Sequence, residues 1–96
     1  MMRPSALENW YSRQCNGEWE HSWGVKITTL DNPGWSVTID LRDTRKQNSA
    51  LDWVKIQRTE DDWIFYKVVD NRFEIKCGPK NLSESVGLFV DWFDSN

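Results

Sequence analysis

Histidine occurs once, as His21, and cysteine twice, as Cys15 and Cys77, in a chain of 96 residues. Without a Cys-x-x-Cys pair or a second histidine, the sequence lacks the ligand spacing of a zinc site or a redox dithiol. The two distant thiols read as reduced, partly buried side chains. No metal and no cofactor is expected. The phosphate-binding and dinucleotide glycine patterns are missing, and so is His-Glu-x-x-His. Glu20, His21 and Ser22 are neighbours in sequence, which seldom lets a nucleophile, a base and an acid converge, and Cys15 lies only six residues from His21. No catalytic residue is assigned, and an enzyme is not expected. No apolar run approaches the ~20 residues of a membrane span, and the opening MMRPSALENW has no signal-peptide core. The reading is a cytoplasmic protein without membrane contact, one domain over residues 1–96. An excess of basic residues is also lacking: 12 Lys and Arg against 15 Asp and Glu give a formal net charge of -3. That disfavours general binding to nucleic acid, which needs cations for phosphates, and suits a basic protein partner.

What the chain has in quantity is aromatic side chains, with seven Trp, four Phe and two Tyr. Few small domains need so many indoles for packing alone. The organising stretch is Trp19 to Leu41, which reads as a β-hairpin around Asp31-Asn32-Pro33-Gly34, because proline presets the turn and Asn and Gly tolerate positive φ. With Leu30 to Gly34 as the loop, Thr29 faces Trp35, Ile27 faces Val37, Val25 faces Ile39 and Trp23 faces Leu41. Lys26, Thr28, Ser36, Thr38 and Asp40 take the other face, so a slip by one residue would bury a lysine and an aspartate.

Upstream, Ser5-Ala6-Leu7-Glu8 has the capping-box pattern and opens a short helix with Leu7, Trp10 and Tyr11 on one stripe, ending at Asn16-Gly17. Downstream, Arg42 to Ala50 is polar and basic and reads as a mobile loop. Leu51 to Thr59 and Trp63 to Val69 read as strands joined by Glu60-Asp61-Asp62, with Val54 opposite Val68 and Ile56 opposite Tyr66. A two-residue turn, Asp70-Asn71, then pairs Val68 with Phe73, Tyr66 with Ile75 and Ile64 with Cys77. Asn81 and Glu84 cap a C-terminal helix whose apolar face carries Leu82, Val86, Phe89, Val90 and Phe93. The simplest architecture is α+β: a five-stranded antiparallel meander with the N-terminal and C-terminal helices on one face.

The remaining sheet face presents Trp53, Lys55, Gln57, Trp63, Phe65, Lys67, Glu74 and Lys76, with Lys67 placed to pair with Glu74 across the strands. Trp53, Trp63 and Phe65 among charges have the composition of an exposed recognition patch, or else lie beneath a helix or a second subunit.

Four stretches carry a family resemblance. Gln14-Cys15-Asn16-Gly17-Glu18-Trp19-Glu20-His21-Ser22-Trp23-Gly24, Leu30-Asp31-Asn32-Pro33-Gly34-Trp35-Ser36-Val37, Glu60-Asp61-Asp62-Trp63-Ile64-Phe65 and Cys77-Gly78-Pro79-Lys80-Asn81-Leu82 resemble, in that order, the immunity protein 53 family of bacterial polymorphic toxin systems. The resemblance implies a small cytoplasmic protein that binds and neutralises one cognate toxin domain. Joined to the reading of the residues, it predicts stoichiometric occlusion of the toxin's active or substrate site. Trp53, Trp63 and Phe65 would supply affinity, while Glu18, Glu20, Glu60, Asp61 and Asp62 would meet a basic surface, such as that of a nuclease. The competing expectation is a small-ligand or regulatory binding module that uses the same Trp-rich face.

Overall fold

The computed structural model describes residues 4–95, with side chains from Ala6 onward, so the cap expected at Ser5 lies outside the described residues' side chains. Its elements are α1 (Pro4–Gln14), α2 (Trp19–Ser22), β1 (Val25–Leu30), β2 (Gly34–Asp40), β3 (Leu51–Gln57), β4 (Trp63–Val69), β5 (Arg72–Cys77) and α3 (Leu82–Asp94). The strands form one antiparallel sheet, and the fold is α+β with a helix at each end, as the sequence predicts.

The meander needs correction in its strand order, which is β1-β2-β5-β4-β3. After β2 the chain crosses to the far edge, then returns by two hairpins until β5 pairs with β2. Strands β2 to β5 thus form a Greek key. Burial explains the choice. Val37 and Ile39 of β2 and Phe73 and Ile75 of β5 are at most 1 % exposed, so these two strands gain most from the centre of the sheet. Strand β3, which carries Asp52, Lys55 and Gln57 exposed, tolerates an edge.

The β1–β2 register matches the hydrophobic alternation, with Val25 opposite Ile39, Ile27 opposite Val37 and Thr29 opposite Trp35. The loop is tighter than expected, because Leu30 also pairs with Gly34. Gly34 is required there by space: a Cβ would collide with the carbonyl oxygen of Cys77 on β5. Trp23 does not extend the ladder toward Leu41. The chain before it winds into α2, held by a reciprocal turn in which Asn16 Oδ1 accepts the Glu18 and Trp19 amides while the Glu20 carboxylate accepts those of Asn16 and Gly17. Local side-chain acceptors outcompete strand pairing here.

The β4–β5 register is the predicted one, through Asp70 and Asn71, both at positive φ (52° and 61°). The β3–β4 register is shifted: Val54 faces Tyr66 and Ile56 faces Ile64. Arg58 leaves the ladder because its guanidinium bonds Asp62 and Glu84, which lengthens the loop beyond the expected three residues. A shift of two residues preserves the face of every side chain, and an irregularity between Leu51 and Val54 absorbs the remainder.

Helix α3 lies on the apolar face, where Phe89 and Trp92 each come within 5.0 Å of the Phe73 ring, centroid to centroid. Helix α1 packs beside it through Trp10, fully buried and edge-on to Phe89 (4.9 Å), Phe93 (5.3 Å) and Trp19 (5.8 Å). The expected Asn81 cap is not made as drawn: Asn81 Oδ1 accepts the Trp63 amide and its Nδ2 donates to Asp62, so this side chain ties the β3–β4 loop to the start of α3. Nor is the basic connection a free loop. The Arg45 guanidinium donates to the Phe93 carbonyl and lies over the Phe93 ring, Lys46 lies over Trp92, and Arg42 lies over Trp23. Arg45 and Lys46 thus meet the electronegative end of α3 and the rings at its rim. No described helix is long and apolar enough to cross a membrane.

Candidate functional site

Pairing rows show which side chains share the face opposite the helices. One row runs Lys26, Thr38, Glu74, Lys67; the next runs Thr28, Ser36, Lys76, Phe65, Lys55; another pairs Trp63 with Gln57. Residues directly opposite in an antiparallel ladder point the same way, so all of these stand together. Trp53 joins them, since the Lys67 ammonium lies 4.7 Å from its ring centroid. Neither long helix packs on this face, which excludes a helical cover for the aromatic group.

The rings are not one cluster. Trp63 and Phe65 touch, with centroids 5.1 Å apart, and Lys55 lies over Phe65 at 5.6 Å. Trp53 stands toward the other end of β4, four residues from the Trp63 position, or about 13 Å at strand rise. Lys67 separates it from Phe65 and covers it. Trp53 is 39 % exposed and Trp63 and Phe65 are half-buried, so each offers part of a ring to a partner. Lys67 does stand opposite Glu74 as predicted, but its ammonium is held by the indole. Alternation of aromatic and lysine on each strand (Trp53-x-Lys55, Phe65-x-Lys67) was the sequence signal for these cation–ring contacts, and ion-pair reasoning passed over it.

The acidic candidates divide. Glu60 and Asp61 are exposed on the turn beside Trp63. Asp62 is engaged: Arg58 donates to both of its oxygens at 2.8 and 3.0 Å, and Asn81 donates at 2.8 Å. The Arg58 guanidinium, followed by the Asn81 amide, holds the Asp62 carboxyl below its ordinary value, while Asp62 and Glu84 raise Arg58. Glu20 is likewise held below the ordinary value by backbone amides, its own first and then those of Asn16 and Gly17. That commits Glu20 to the α2 turn and leaves it no role in orienting His21, which is exposed. Glu18 is exposed and lines a separate hollow with Asn16, Trp19, Ser22, Trp23 and Asp43. The structure therefore joins Trp53, Trp63 and Phe65 on one face with Glu60 and Asp61 at its rim, and sets Glu18 and Glu20 apart from them.

The cysteines have no shared chemistry. Cys15 donates to the Tyr11 carbonyl at 3.3 Å, rather than meeting His21, and Cys77 is fully buried in the core, where burial pushes its thiol up. Among the described residues no group of three or more His, Cys, Asp or Glu is placed to hold a metal ion.

Arg58, which the sequence reading treated only as a strand residue, is the organiser of the site's lower edge. It links the loop before Trp63 to Glu84 on α3, and Gly78 makes room for that junction, since a Cβ there would collide with the Asp61 carbonyl. The stretches 60–65 and 77–82, remote in sequence, are thereby one locus. Trp35 belongs to it as well, donating through Nε1 to the Pro79 carbonyl at 3.0 Å.

No curated protein and no solved structure gives a significant match. A family model described as Immunity protein 53 matches residues 5–94, which takes in α1 but for Pro4, all of the strands and α3 to its last residue. The chain belongs to the immunity protein 53 family.

Proposed function

We propose that this immunity protein neutralises its cognate toxin by stoichiometric binding, with the outer face of the sheet laid across the toxin's active site or substrate path. The single observation that carries the reading is the open face itself: two Trp and one Phe stand partly exposed on a five-stranded sheet whose two long helices are on the other side. Rings held by a sheet lose little freedom on binding, and Trp is enriched among the residues that dominate interface energies. Glu60 and Asp61 border the aromatic end and add specificity at the rim. The protein acts in this reading as an inhibitor without a reaction of its own. A small-ligand module is less well supported, because the hollow beside Trp53, about 320 Å³ and lined by Leu51, Asp52, Lys67 and Val69 among others, offers one ring and no convergent polar set.

Growth rescue tests the reading. The toxin domain encoded beside this gene, expressed alone in a susceptible host, should arrest growth, and co-expression of this chain should restore it with a one-to-one complex recoverable from the cells. Arrest that persists while the folded chain is present would reject the pairing.

A further inference from the structure

The structure sorts charge in a way that composition conceals. Among the residues that strand pairing places on the outer face, Lys26, Lys55, Lys67, Arg72 and Lys76 are basic and Asp40 and Glu74 acidic, and the exposed Asp52, in the irregular part of β3, adds a carboxylate to the hollow beside Trp53 and Lys67. The chain as a whole carries 12 basic and 15 acidic side chains, so the residues away from this face are acidic in sum, the basic Arg42, Arg45 and Lys46 notwithstanding, while the face is net positive. Asp40 is moreover already matched by Arg42 at 3.2 Å.

How the lysines are held matters as much as their number. Lys67 lies over the Trp53 ring and Lys55 over the Phe65 ring, and Lys76 Nζ donates to Ser36 Oγ at 2.8 Å. Rings and hydroxyls orient an ammonium without neutralising it. The contrast is Arg58, whose charge is consumed by Asp62 and Glu84. Three oriented ammonium groups, of which Lys67 stands opposite Glu74, interleaved with three aromatic rings form a surface prepared for carboxylates carried on an apolar background.

We infer that the toxin surface docked on this face is acidic, with Asp or Glu side chains seated against Lys55, Lys67 and Lys76, and that any basic element of the toxin is confined to the rim beside Glu60 and Asp61. The inference rests on the neutralisation reading above and reverses the sign expected from net charge alone. A protein surface fits better than a nucleic acid: a polyanion longer than the patch would run onto the acidic remainder of the chain, whereas a folded partner can end where the lysines end.

The test compares the wild-type chain with Lys55→Glu/Lys67→Glu, using the purified toxin domain in a catalytically inactive form. The neutral pair Lys55→Gln/Lys67→Gln and thermal unfolding of each variant control for folding. The charge-reversed protein should associate about tenfold more slowly and bind at least tenfold more weakly, the neutral pair should fall between, and raising salt should slow the wild type more than either variant. Equal association and affinity for all three, with a normal wild-type complex, would overturn the acidic-partner inference while leaving immunity intact. Tighter binding by the reversed variant would overturn it in favour of a basic partner. Absence of any wild-type complex would remove the neutralisation reading beneath it. A single-stranded oligonucleotide retained by wild type and lost by the Glu variant would move the face to nucleic acid and overturn the inference.

Discussion

Trp10 and Trp53 show how differently one residue type is used in this chain. Trp10 is fully buried between α1, α2 and α3, with ring contacts to three neighbours, and it serves packing. Trp53 is 39 % exposed and touches Lys67, so its removal exposes no cavity in the core. Trp10→Ala should therefore cost about 3–5 kcal/mol of folding stability in denaturant unfolding, the range of large aromatic truncations in a core. Trp53→Ala and Trp63→Ala should each remain folded with near wild-type midpoints and weaken toxin binding, by about 2 kcal/mol at whichever is a hot spot. Normal binding by both variants would place the interface elsewhere. The indoles' division of labour was half legible beforehand. Strand parity told which face Trp53 and Trp63 occupy, and the simplest architecture put both helices on the other, but parity alone left a covering helix as an alternative.

At the scale of elements, the decisive joint is between the β3–β4 loop and α3. Arg58, Asp62, Asn81 and Glu84 come from two stretches far apart in sequence and meet through hydrogen bonds of 2.6 to 3.5 Å. Asn81 is buried, but the charged members Arg58, Asp62 and Glu84 are partly exposed, so their ion pairs orient the elements more than they stabilise them. Its pH dependence has a definite sign. Asp62 titrates lower in the folded chain than in the unfolded one, so its contribution is present above the ordinary aspartate value near pH 4 and is lost as pH falls through the folded value. Urea midpoints of the wild type should accordingly fall as pH drops from 5 to 2, and Asp62→Asn should show a flatter decline, weaker than wild type at pH 7 and close to it at pH 2. Parallel curves would remove Asp62 as an acid-sensitive link. The sequence offered Asn81 and Glu84 as a cap and Glu60-Asp61-Asp62 as a binding turn. That Asn81 and Asp62 meet follows from the β4–β5 pairing of Ile64 with Cys77, but the path the chain takes from Cys77 into α3 is set by packing and not by that hairpin.

For the whole molecule, the strand order predicts a gradient of stability. Strands β2 and β5 are paired on both sides and carry the most deeply buried side chains, whereas β1 is an edge on which Ile27 remains 40 % exposed because the helices do not reach it. Amide hydrogen exchange should be slowest at β2 and β5 and fastest, among strands, at β1, with β3 also fast near the irregularity between Leu51 and Val54. Uniform protection across the sheet would contradict this layering. An open sheet face and an exposed edge also give the molecule one apolar-lined side that is fully used and another that is available to a partner.

The sequence by itself determined the element types, the two registers set by strict alternation and a short turn, and the side of the sheet on which each strand residue stands. These are local properties, carried by a side-chain period of two and by turn residues with restricted φ. It also carried the family, since the motif stretches 14–24, 30–37, 60–65 and 77–82 keep their order along the chain. Only the tertiary structure decided the strand order, the docking of the basic loop on α3 and, through that order, which charges of different strands stand side by side. Each depends on which surfaces can be buried together, a comparison among distant segments that no local pattern contains. Net charge pointed to a basic partner; the arrangement of Lys55, Lys67 and Lys76 around the rings points to an acidic one.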